Sequence, residues 1–199
     1  GEPAYATVMI DKDESRKIDC ELPDHAAAIK YLRQLICDSE RHGKVNNIED
    51  VKVVGHRVVH GGEKCHTSAV IDDEVLAAIK DSIPMAPRHN PYNLATIEAA
   101  QACFPDTPQI AVFDTAFHAK MPAKAYLYAI PKTFYTELGV RRYGFHGSSY
   151  EHVMQHTMSH LKFSEKRKFN AIIFYLGGAA EGASGCVIKE GVCIDTSMG

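Results

Sequence analysis

The octapeptide His56-Arg57-Val58-Val59-His60-Gly61-Gly62-Glu63 sets a fixed cation and two imidazoles at the end of a β-branched run, ahead of a pair of glycines. A guanidinium is a planar fork that matches a carboxylate or phosphate through two parallel hydrogen bonds, so this cluster suits an anionic small-molecule substrate. Val51, Val53, Val54, Val58 and Val59 predict a buried strand, and Gly61 and Gly62 end it where the backbone can approach another group closely. Arg57 then leaves the strand near a cleft; the plainer alternative is a surface strand with a salt-bridged arginine. Asp114 stands at the C-terminal end of the apolar run Gln109 to Asp114, where open α/β sheets expose functional groups, with Thr115 and His118 following. A strand-end aspartate is also a common cap. His146 lies in Tyr143-Gly144-Phe145-His146-Gly147-Ser148-Ser149, a turn opening a helix whose N-terminal amides can receive an anion; the alternative is a hydrogen-bonded structural histidine.

Other candidate chemistry is weaker. The small-residue stretch from Leu176 through Gly177, Gly178, Ala179 and Ala180 to Gly185 follows a strand and could cradle phosphate through exposed amides, but Glu181 puts a negative charge there, and a plain hairpin turn fits as well. His152, His156 and His160 share one helix face, yet no carboxylate or cysteine completes a metal set. Cys20, Cys37, Cys65, Cys103, Cys186 and Cys193 form no CxxC pair, which predicts reduced, mostly buried thiols and no metal or disulfide framework. Arg141 and Arg142 read as solvated charges.

These residues must be positioned by helices that alternate with apolar strand-like runs, the pattern of a layered α/β protein. Asp24 and Asp72 or Asp73 are predicted helix caps, and Asn90-Pro91 marks another helix start directly after His89. Ser148 and Glu151 form a capping-box pattern for a helix through Leu161, which places a boundary after Gly147: residues 1–147 as one domain and 148–199 as the start of another. Phe169 to Leu176 predicts a buried strand, and Cys186 to Ile188 and Val192 to Asp195 flank a hairpin turn at Lys189-Glu190-Gly191. The last residues stop directly after a hairpin strand, so the chain looks cut.

With 199 residues, 45% hydrophobic and 24% charged, the chain can bury a sizeable core and shows no disorder signature. A net charge of −3 gives no electrostatic case for nucleic acid or an anionic membrane. No apolar run approaches the roughly 20 residues of a bilayer span, and no leader pattern precedes Tyr5, so a cytoplasmic protein is expected.

Five segments, Gly55 to Lys64, Ala86-Pro87-Arg88-His89-Asn90-Pro91, Val112-Phe113-Asp114-Thr115-Ala116-Phe117-His118, Arg142 to Gly147 and Asp195-Thr196-Ser197-Met198-Gly199, closely resemble the acetate and propionate kinase family in order and spacing. The resemblance implies a ribonuclease-H-like α/β domain of the acetate and sugar kinase/actin superfamily, incomplete at both termini. It implies a phosphotransferase that interconverts ATP plus acetate or a short carboxylate with ADP plus the acyl phosphate, using Mg2+, with a homodimer as a family assembly that a fragment need not form. By position, Arg57 resembles the substrate-carboxylate arginine, Val59 and Phe145 walls of the acyl pocket, His89 a further active-site histidine, Asp114 the catalytic aspartate and His146 the transition-state stabiliser. Tyr175, Leu176, Gly177, Gly178 and Ala179 occupy the place of the family's phosphate loop.

Departures accompany the match. The family's N-terminal phosphate loop with its magnesium contact finds no counterpart before Tyr5, and a second arginine, the adenosine loops and a magnesium-binding glutamate are also missing, so no metal ligand is expected in this chain. Tyr175-Leu176-Gly177-Gly178-Ala179 stands where the family reads His-Leu-Gly-Asn-Gly, and Arg88 replaces a leucine, an added cation expected to alter substrate preference at the pocket. The alternative is a catalytically silent fragment or partner-binding remnant that retains the substrate half-site. A third reading takes His56, His60, His89, Asp114, His118 and His146 as metallohydrolase ligands.

Overall fold

A computed structural model of the chain describes residues 5–11, 14–37, 45, 47–178 and 182–199, apart from the side chains of residues 8–11, 14–16 and 167. The chain forms two compact units, residues 1–56 with 91–110, and residues 57–90 with 111–199.

In the first unit, β1 (Tyr5–Asp11) and β2 (Glu14–Asp19) pair antiparallel from Tyr5 opposite Asp19 to Asp11 opposite Glu14, with an irregularity between Met9 and Asp11. Helix α1 (His25–Cys37) starts where expected: Asp24 Oδ1 accepts the Ala27 N–H at 2.7 Å, satisfying one of the amides a helix start leaves without an intrahelical partner. Buried His56 and Gln109 join through Nε2 and Oε1 at 2.7 Å.

Strands β3 (Val54–Val58), β4 (Ala69–Val70) and β5 (Gln109–Phe113) form a sheet in the order β3-β5-β4. The β-branched run overestimates β3, because Val51 lies outside it and Val53 is exposed before it begins. Helix α2 (Asp73–Asp81) is capped by Asp72, whose Oδ1 accepts the Val75 N–H at 2.9 Å. Asn90 departs from the expected cap. It is the first residue of α3 (Asn90–Cys103), fully buried, and its amide accepts from His60 N at 3.2 Å and donates to the carbonyls of His60 (2.9 Å) and Ile79 (3.0 Å). Buried backbone groups need partners, and this side chain satisfies three that strand and helix ends leave open.

Two short helices, α4 (Ala123–Tyr126) and α5 (Thr133–Leu138), lead to α6 (Gly147–His160). The capping box expected at Ser148 and Glu151 does not form. His146 holds the cap position with no side-chain cap bond, Gly147 N donates to the Asp114 carbonyl at 3.0 Å, and Ser148 Oγ is drawn to the Asp114 carboxylate instead. A Cβ on residue 147 would collide with the Asp114 carbonyl oxygen, so only glycine allows this helix start to sit against the end of β5.

The last sheet is antiparallel, β6 (Ala171–Leu176), β7 (Ala183–Lys189) and β8 (Val192–Thr196) in sequential order. Glu190 and Gly191 make the predicted turn with φ of 53° and 73°, the two positive angles of a type I′ hairpin. Tyr150 and Met154 of α6 pack with Phe169, Ile173, Cys186 and Ile188 as a core on one face of this sheet. The other face of β6 is open: Ile172, Phe174 and Leu176 are 65%, 70% and 84% exposed, so this strand alternates where a fully buried one was expected. Among the described residues no helix is long and apolar enough to cross a membrane.

Candidate active site

Arg57 near the end of β3 and Asp114 just past β5 meet because these strands are neighbours, and Asp114 N donates to the Val58 carbonyl at 3.0 Å. Arg57 Nε donates to Asp114 Oδ1 at 3.1 Å and Nη2 to Oδ2 at 2.7 Å, a bidentate pair of the kind a guanidinium makes with any carboxylate. Ser148 Oγ gives Oδ1 a further hydrogen bond at 3.2 Å. The Arg57 side chain is 63% exposed and that of Asp114 2%, so the aspartate is the fixed partner and the arginine faces solvent. The two sequence readings of Arg57 therefore coincide: it is salt-bridged, and it lines a cleft.

His146 takes φ 59° and ψ 22°, the left-handed conformation that costs a β-carbon residue about 1–3 kcal/mol and collects at functional positions. Its Nδ1 lies 2.9 Å from Ser184 Oγ, which lies 2.6 Å from Tyr150 Oη, and its ring stacks on Tyr175 at 4.0 Å between centroids. Burial pushes the Tyr150 phenol up from its ordinary range, so it stays protonated at neutral pH and can act as a hydrogen-bond donor. The ring is thus clamped at one nitrogen and one face, a rigid placement for a side chain expected to meet developing charge.

The cleft between these groups has a volume of about 390 Å³, with Val59, Met85, Ala86, Phe145 and Met198 as its apolar side and Arg57, His89, Asp114 and His146 as its polar side. All six residues expected at the substrate site, Arg57, Val59, His89, Asp114, Phe145 and His146, line it together. Met85, Ala86, Met198 and Gly199 were not anticipated as lining residues, although Met198 and Gly199 lie in one of the motif segments. Ser148, Tyr150 and Ser184 support the site without a signal in the sequence: Ser148 presents a capping-box pattern, and no spacing along the chain pairs residue 184 with residue 146.

The loop after β6 behaves differently. Tyr175 reaches the site only by stacking on His146, while Leu176, Gly177 and Gly178 do not line the cleft. Gly177 N donates to the Gly182 carbonyl at 3.1 Å and Gly182 N to the Gly178 carbonyl at 2.9 Å, closing the loop on itself as a hairpin. Ala179, Ala180 and Glu181 lie outside the described residues.

Arg88 is exposed and does not line the cleft, as the desolvation cost of an unpaired guanidinium dictates. Arg141, expected to be solvated, has a buried side chain whose Nη1 pairs with Glu63 Oε1 at 2.6 Å while its guanidinium lies 3.8 Å over the Tyr126 ring. The metallohydrolase set does not assemble: His56 pairs with Gln109, and His60 Nδ1 accepts from Gly62 N at 3.0 Å, with burial lowering His60 to a pKa of about 4. His152 and His156 stack at 6.2 Å without a third ligand, and among the described residues only His118, Cys186 and Cys193 converge as a group of three.

A model of the acetokinase family matches residues 2–199. The chain belongs to that family. It is 45% identical to the acetate kinase of Thermotoga maritima over 187 residues, 94% of this chain and 45% of that protein. The structure of Porphyromonas gingivalis acetate kinase superposes with a TM-score of 0.91 at 35% identity, covering 100% of this chain and 48% of that one. A propionate kinase structure from Francisella tularensis superposes with a TM-score of 0.84 at 33% identity, covering 95% and 46%. The chain thus has the α/β fold of these kinases and spans a little under half of their length.

Proposed function

We propose that this chain carries the carboxylate-binding half of an acetate-kinase-type site, in which a short carboxylate, acetate first, takes the phosphoryl group of ATP to give the acyl phosphate and ADP in the cytoplasm. The observation that carries this reading is the bidentate Arg57–Asp114 pair at the edge of a small cleft whose other walls are Val59, Ala86 and Phe145. Asp114 already shows how a carboxylate sits on the Arg57 fork. An incoming acetate would accept from the outward side of the same guanidinium, with its methyl group against Val59 and Phe145.

A carboxylate is ionised at neutral pH, so its oxygen can attack the γ-phosphorus without a general base. Catalysis then rests on alignment and on neutralising charge. His146 is clamped by Ser184 and Tyr175, and in this reading it donates to an oxygen of the transferring phosphoryl group, with His89 in the lining of the same cleft. Asp114 acts by holding Arg57 in register.

Family membership suggests Mg2+ with the nucleotide. Among the described residues Asp114 is the one acidic side chain lining the cleft, and both its oxygens are already hydrogen-bonded, which by itself does not fit a magnesium site; no step here is assigned to the metal. In this reading nucleotide, metal and a homodimeric assembly belong to the whole protein, and the 199-residue chain alone turns over little. The open apolar face of β6 favours a second reading, a non-catalytic segment that binds a partner.

Isothermal titration with acetate tests the carboxylate assignment on the chain itself. Binding is expected to be weak and to fall about tenfold or more in Arg57→Ala, because a partly solvated bidentate contact is worth about 1.5 kcal/mol. Acetate affinity unchanged in that variant would remove Arg57 from the substrate site.

A further inference from the structure

His118, on the turn after β5, Cys186 on β7 and Cys193 on β8 lie far apart in sequence and meet in the core of the second unit. All three are essentially fully buried, at 0%, 0% and 1% exposure. Cys193 Sγ lies 3.1 Å from His118 Nδ1 and 3.5 Å from both Cys186 Sγ and the Asp195 carbonyl oxygen. The two sulfurs face the same side of the hairpin across the register shift between Val187 and Ile188.

The other nitrogen of His118 decides what this cluster presents. Nε2 lies 2.9 Å from the carbonyl oxygen of Phe145, which only accepts, so Nε2 carries the hydrogen and Nδ1 turns a lone pair toward the two thiols. A backbone carbonyl holding the far nitrogen is the arrangement that fixes ring and tautomer in metal-ligating histidines. From these observations we infer that His118, Cys186 and Cys193 form a buried site for one thiophilic divalent cation, zinc(II), closed by the Asp195 carbonyl.

The donor spacing supports this. With zinc–sulfur bonds of about 2.3 Å and zinc–nitrogen or zinc–oxygen bonds of about 2.0–2.2 Å, tetrahedral ligand edges run about 3.5–3.8 Å. The three separations that run to Cys193 Sγ need to widen by at most a few tenths of an ångström, and His118 Nδ1 and Cys186 Sγ lie within 4.8 Å of each other. Charge favours a divalent over a monovalent ion: binding releases one proton from each thiol, and two thiolates, a neutral imidazole and Zn2+ sum to zero in a site that water does not reach. A cavity of about 430 Å³ has Phe117, Val192 and Cys193 in its lining, beside this buried cluster. The site is separate from the acyl cleft and does not depend on the function proposed for it.

The test uses the untagged 199-residue chain, stripped with chelator and kept reduced. Titration with zinc sulfate against a competing chromogenic chelator is expected to give one tightly held zinc per chain with release of two protons. Cys186→Ser and Cys193→Ser should each weaken binding at least 100-fold, whereas Cys103→Ser should leave it unchanged. Cobalt(II) loading of the unmutated chain should give thiolate charge-transfer absorption, a readout that stands even if a core variant misfolds. Absence of retained zinc, absence of that absorption, or zinc affinity unchanged in a folded Cys193→Ser chain would overturn the site, and stoichiometric copper(I) without zinc would overturn the choice of ion.

Discussion

The hydrogen bonds from Arg57 Nε and Nη2 to Asp114 hold one edge of the guanidinium, so a substrate carboxylate on its outward edge shares the same positive charge with Asp114. Asp114→Asn removes the competing charge while preserving shape, and acetate binding should strengthen several-fold even as phosphoryl transfer is lost; weaker binding in that variant would mean that Asp114 organises the site more than it competes. Arg88 gives the opposite kind of prediction. Because it is exposed and outside the cleft, Arg88→Leu should leave the preference for acetate over succinate unchanged in a full-length protein. A shift of that ratio by more than about threefold would place its side chain in the substrate's reach. His146→Asn tests the left-handed cap, since asparagine tolerates positive φ: the melting temperature should hold while transfer activity falls.

Among the elements, α6 is pinned at its first residue by Gly147 against the Asp114 carbonyl, and the same contact sets Ser148 on the Asp114 carboxylate. Gly147→Ala forces backbone apart at the site and should cost roughly 2–4 kcal/mol in urea unfolding; a loss below about 0.5 kcal/mol would show that the contact yields easily. The loop after β3 carries a pH signature. Burial lowers His60 from about 6.5 to about 4, so between these values the unfolded chain binds more protons than the folded one. The stability at stake is fully present above pH 6.5 and is lost as pH falls toward 4, up to roughly 3 kcal/mol. The unfolding midpoint of His60→Gln should fall less between pH 7 and 4.5 than that of the parent, and parallel falls would refute the assignment. Much of this level was legible: the Asp24 and Asp72 caps, β5 and the Glu190-Gly191 turn follow from local chemistry that distant contacts do not contest. The errors lie where tertiary partners outbid local ones. Ser148 abandons its cap for Asp114, Asn90 serves the backbone of His60 and Ile79, and Arg141 leaves solvent for Glu63 and Tyr126. The Ser184 contact to His146 depends on how β7 is placed against α6, which no spacing along the chain reveals.

At the scale of the whole molecule, the six residues carried over from the family resemblance converge on one cleft, although they come from four separate segments of the chain. That convergence and family membership over residues 2–199 support the acyl half of a kinase site, while the loop at residues 176–178 turns its amides into a hairpin. The chain spans a little under half the length of its relatives, and turnover from the 199-residue chain is expected at least a hundredfold below that of a full-length kinase. Splicing this chain in place of the matching segment of a full-length relative, and assaying acetyl phosphate formation as the hydroxamate, probes the proposed acyl site in a complete kinase. A cooperatively folded hybrid should turn over acetate and Mg-ATP on the order of 1–100 per second, and lose at least a hundredfold in both the Arg57→Ala and His146→Ala forms. A folded hybrid that binds Mg-ATP yet forms no acetyl phosphate, or whose rate is indifferent to both substitutions, would show that this cleft is not the acyl site.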